Sequence, residues 1–158
     1  MNRRFSHMEG APRSTIAPQL IELAVAVQKH GGFPDAVAEL QNGGHVSWDG
    51  AVGSSSALIT VALAEHAPDS VVVICHNDDA ADTFTDDLRL FAAGTPHRFP
   101  AWETAPDEHH IDDEIYSERL RTLKWLSQRG ESLPRGQQDA SSLPLDRIIV
   151  TSVQSLMQ

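Results

Sequence analysis

Two runs of β-branched residues govern what this chain can fold into. Residues 70–75 read Ser-Val-Val-Val-Ile-Cys, and residues 147–151 read Arg-Ile-Ile-Val-Thr. Neither run alternates apolar with polar residues, so each reads as a strand covered on both faces, the mark of a parallel sheet. Parallel strands need crossover connections, most often helices. Helical patterns are present. Leu20, Ile21, Leu23, Ala24 and Val27 recur at helical spacing until Gly31 and Gly32 stop them. Residues 35–40 form a second short helical candidate, Asn42-Gly43-Gly44 a turn, and residues 57–65 an apolar helix. Asn77 or Asp78 can cap a further helix, whose stripe is Phe84, Leu88 and Phe91 and which Gly94 ends. Residues 45–48 predict a short strand, and residues 98–100 a short extended piece. Ile115, Leu120, Leu123 and Leu126 predict a helix with a charged opposite face. Strands alternating with helices argue an α/β fold, a doubly wound parallel sheet.

The same reading divides the chain. Residues 1–14 are polar and form a flexible tail, and residues 15–44 an N-terminal helical segment. Residues 45–158 form the α/β domain, in which the Gln-, Ser-, Gly- and Pro-rich stretch 127–145 is a mobile insertion. The last residues, 153–158, open a helix with no stop signal. The domain therefore reads as incomplete at its C-terminus, a fragment of a longer protein.

Composition narrows the function. Twelve Lys and Arg stand against 22 Asp and Glu, for a net charge of −10. Duplex binding draws on clustered cations that release counterions, so direct nucleic-acid binding by this chain is disfavoured. Cys75 is the single cysteine, which excludes an intrachain disulfide and a cysteine-rich zinc site. It reads as a small buried hydrophobe in a reducing compartment. The most apolar stretch, residues 57–64, is far short of the ~20 residues that cross a bilayer. These features together predict a cytoplasmic protein.

The loop Gly50-Ala51-Val52-Gly53-Ser54-Ser55-Ser56-Ala57 lies where a phosphate-binding loop would sit, between a predicted strand and a helix. The P-loop pattern is G-x-x-x-x-G-K-[ST]. With Gly50 as its first glycine, Ser55 replaces the second glycine, Ser56 the lysine and Ala57 the metal-binding hydroxyl. A degenerate loop of this kind has lost the cation that neutralises phosphate and the ligand that holds Mg²⁺. The bland reading is a tight turn that needs glycine at special backbone angles. The same segment resembles a nucleophile elbow, G-x-S-x-G, lacking its last glycine, and a hydrolase would need an acid and a His later in the chain. Asp107 or Glu108 with His109 or His110 offers those groups, but adjacent loop residues do not naturally reach a distant serine. His109 and His110, ringed by Asp107, Glu108, Asp112 and Asp113, are also a candidate metal site, without the His spacing of a helical one.

Two further segments carry a resemblance. Phe99-Pro100-Ala101-Trp102-Glu103-Thr104, followed after a gap by Ser117-Glu118-Arg119-Leu120-Arg121-Thr122-Leu123, resembles the N-terminal UvrB-like module of bacterial transcription-repair coupling factors. The family run is approximately F-P-x-W-E-T-L-P-Y-D, an S-P-H segment and S-x-R-L-x-T-L. The loop with Gly53-Ser54 is similar to the family's degenerate P-loop, and residues 147–158 to its I-V-x-x-V-x-x-L-x-Q pattern. The likeness covers about residues 45–158. Ala105 and Asp107 depart from it, no S-P-H is present around His109, and the 127–145 insertion is long. The resemblance implies a UvrB-like α/β domain of helicase type that hydrolyses nothing itself. It implies no catalytic residues, no metal and no cofactor for this chain, ATP and Mg²⁺ belonging to the motor of the full-length DNA-translocating ATPase. It implies a scaffold contributing to UvrA recruitment in transcription-coupled nucleotide excision repair, with RNA polymerase and DNA engaged through the remainder. Phe99, Pro100, Trp102, Glu103, Thr104, Arg119, Leu120 and Leu123 are then structural motif residues. A small nucleotide-binding α/β protein and a serine hydrolase using Gly53-Ser54-Ser55 are the alternatives.

Overall fold

A computed structural model of the chain describes residues 18–102, 113–132 and 144–158. The tail 1–14, Glu103, Thr104, His109, His110 and most of the 127–145 stretch lie outside the described residues. Helices α1 (Pro18–Gln28), α2 (Phe33–Gln41) and α3 (Ser54–Ala64) precede strand β1 (Val71–Cys75). Helix α4 (Asp78–Phe91), strand β2 (His97–Phe99) and helix α5 (Asp113–Ser132) follow. A 3-10 turn, Pro144–Arg147, then leads into β3 (Ile148–Ser152) and the short helix α6 (Val153–Leu156).

The three strands form one parallel sheet in the order β1-β3-β2. Register assigns the side chains to faces. Val71, Val73 and Cys75 stand beside Ile148, Val150 and Ser152, whereas Val72 and Ile74 share the opposite face with Ile149, Thr151, His97 and Phe99. The first face carries the core: Val71, Val73, Ile148 and Val150 pack with Ala57, Val61 and Ala64 of α3, with Ala81, Leu88 and Phe91 of α4, and with Ala24 of α1. Helix α5 lies on the second face, where its Trp125 stacks on His97 with ring centroids 4.0 Å apart.

Helix α4 shows how local sequence sets an end. The Asn77 side-chain oxygen accepts the Ala80 N–H at 2.9 Å, and Asp78 and Asp79 place negative charge in the first turn. At the other end Gly94 turns the chain at φ +113°, where a side chain would be strained. Asn77→Ala is expected to cost about 0.5–2 kcal/mol, read as a lower urea midpoint, while Asn77→Ser retains most of the stability.

Several expectations change. Strand β1 is not covered on both faces: Val72 and Ile74 are exposed, because α5 packs on β2 at the other edge of the sheet. Residues 45–48 are not a strand; among the described residues the sheet has only three, and the run is too short and too exposed to earn a ladder. Helix α5 continues through residues 127–132, so the 127–145 insertion begins later than its composition suggested. Leu145, also counted in that insertion, is fully buried in the core. Arg147 precedes the strand rather than starting it. It is buried, with its guanidinium donating to the Ala64 carbonyl at the last residue of α3, where a cation complements the helix dipole. Cys75 is half-buried rather than sealed in the core.

Candidate functional site

In open α/β sheets ligands bind beyond the carboxyl ends of the strands. Here that edge is built by His76–Asp78 after β1, by Pro100–Trp102 after β2 and by residues 152–158 after β3. Arg98, which sequence reasoning passed over, organises it. From β2 its guanidinium donates to Asp82 at 2.7 and 3.0 Å and to the Val150 carbonyl at 3.1 Å. Asp78 lies 3.7 Å away, and its other oxygen accepts the Ala101 N–H at 2.9 Å. A local pattern could not reveal this, because Asp78 and Asp82 belong to another element and only the fold brings them to β2.

Arg119 completes the edge from the other face. Its guanidinium lies 4.1 Å from the Phe99 ring centroid and 4.7 Å from that of Trp102, and it donates to the Pro100 carbonyl at 2.5 Å. Trp102 in turn stacks on Tyr116 of α5. The Gln158 side-chain amide both accepts the Trp102 N–H at 2.7 Å and donates to the Trp102 carbonyl at 3.3 Å. Burial pushes the Arg119 guanidinium below its ordinary value, and the negative charge of Asp78 opposes that shift. A guanidinium stays protonated in proteins, so this cation is permanent. Two motif segments separated in the chain thus close on one another through Arg119.

Leu120 and Leu123 do not join that closure. They are 51% and 50% exposed, while Thr122 is buried and donates to the Arg98 carbonyl. The expected apolar stripe of α5 is therefore rotated away from the sheet. Instead Arg119, Thr122 and Trp125, spaced three apart, face β2, because β2 offers carbonyls and rings rather than an aliphatic surface.

Between α4 and α5 this edge borders an open cleft of about 290 Å³, lined among others by Asp78, Asp82, Glu114 and Glu118, with Arg98 the one cation among its described lining residues. Four carboxylates around one cation, itself already paired, repel a phosphate rather than hold one. Burial raises the Cys75 thiol above its ordinary value; nearby Arg98 lowers it and Asp78 adds to the rise. The thiol is therefore neutral near pH 7 and not an activated nucleophile.

The Gly50–Ala57 loop precedes α3. Gly50 and Gly53 have φ of +83° and +56°, and Gly53 precedes the first residue of α3, Ser54. The Ser55 hydroxyl accepts the Val52 N–H at 2.9 Å and donates to the Val52 carbonyl at 2.8 Å. Ser56 donates to the Ala51 carbonyl at 3.2 Å, and Ala57 is fully buried. Each side chain at a phosphate-binding position is thus turned back into the loop or inward. No sheet strand leads into this loop among the described residues, so the strand–loop–helix context of a P-loop is not met.

No family model, curated protein or solved structure matches the chain. Among the described residues no helix is long and apolar enough to cross a membrane, and no group of three or more His, Cys, Asp or Glu is arranged to hold a metal ion. His109 and His110 lie outside the described residues. Glu103 lies outside them as well, and the described partners of Arg119 are two rings and a carbonyl.

Proposed function

We propose that this chain is a non-catalytic scaffold, a UvrB-like α/β module of the kind found at the N-terminus of transcription-repair coupling factors. Its Gly50–Ala57 loop binds no nucleotide and its role is to contribute to UvrA recruitment. The observation that carries the reading is the Arg119 closure. The F-P-x-W and R-L-x-T-L segments, on which the resemblance rests, meet in space through one guanidinium. The loop supports the same reading, because Ser56 and Ala57 replace the lysine and the hydroxyl that hold a nucleotide and its metal. The acidic cleft at the strand ends adds an electrostatic reason why phosphate is unwelcome. RNA polymerase and DNA are partners of the longer family members, engaged by segments other than this one. With a net charge of −10 the chain has little attraction for a polyanion.

Two titrations test the proposal together. Calorimetry with Mg·ATP is expected to give no micromolar isotherm, and purified UvrA is expected to bind the chain in surface plasmon resonance. A clear micromolar ATP isotherm, stoichiometric and Mg²⁺-dependent, favours the small nucleotide-binding protein instead. Absence of UvrA binding removes the scaffold role even if ATP is also ignored. The hydrolase alternative has its own reading: Ser55→Ala abolishes any esterase activity if the elbow is real, and changes nothing here, since that hydroxyl is spent on Val52.

A further inference from the structure

We draw no further inference here: the strongest candidate, the exposed apolar face of the edge strand β1 at Val72 and Ile74, carries nothing because nothing in the structure shows what covers it.

Discussion

Leu88→Ala is expected to lower the unfolding free energy by about 2–5 kcal/mol, the range for a fully buried leucine truncated to alanine. Leu88 has no exposed surface and sits where α4 meets the sheet and α3. Domains of this size are held by about 5–15 kcal/mol in total, so the loss is from roughly an eighth of the stability to all of it. Urea denaturation of the two proteins measures it, and the melting temperature moves by about 2–4 °C for each kcal/mol. The size of the loss within that range reports how far the surroundings collapse into the space left behind. Leu90, two residues along the same helix but 43% exposed, is the internal control and is expected to change stability little. Equal effects at the two positions would mean that α4 is not seated on the sheet as described.

Arg119→Ala is expected to have the second largest effect, about 2–3 kcal/mol. It removes a charge-assisted hydrogen bond worth ~1.5–3 kcal/mol, and two ring contacts worth ~0.5–2 kcal/mol each, partly offset when water reaches Pro100. Arg119→Lys keeps the charge but not the flat fork that lies on Phe99 and Trp102, so it recovers less than half of the loss. Trp102→Ala, combined with Arg119→Ala in a double-mutant cycle, should give a coupling of at least ~0.5 kcal/mol, as contacting residues do. Additivity within about 0.3 kcal/mol would place the two side chains in separate environments.

The parts of the fold that sequence declared were those fixed by a residue's own neighbours. The runs at 70–75 and 147–151 became β1 and β3 because β-branched residues suit extended backbone, but only β3 is buried on both faces, β1 leaving Val72 and Ile74 exposed. Asn77 bounded α4 at its start because a cap is a single-residue requirement, whereas its end comes at Phe91, with Ala92 already extended before Gly94 turns the chain. What stayed hidden depended on partners far along the chain. The leucines of α5 suggested the buried face, yet the helix turned Arg119, Thr122 and Trp125 inward to meet the carbonyls and rings of β2. Arg98 gave no sign of its role, since its meaning lies in Asp82 of α4 and Val150 of β3. At the candidate site, the loop's missing lysine was visible in the letters alone. The acidic cleft was not, because its carboxylates come from α4 and α5 and meet only after both helices are placed.

The strand order has a consequence for synthesis. β1 and β2 do not touch each other, and each pairs with β3 alone among the described residues. Of these three described strands, the one that joins the other two is the last to be synthesised. At roughly 5–20 residues per second, the Val-Val-Val-Ile run of β1 therefore waits several seconds without a ladder partner. During that interval only the α1–α3–α4 side of the molecule can shield it. Nascent chains halted before Ile148 should accordingly be helical but sheetless, and they should be the form that chaperones hold and that aggregates.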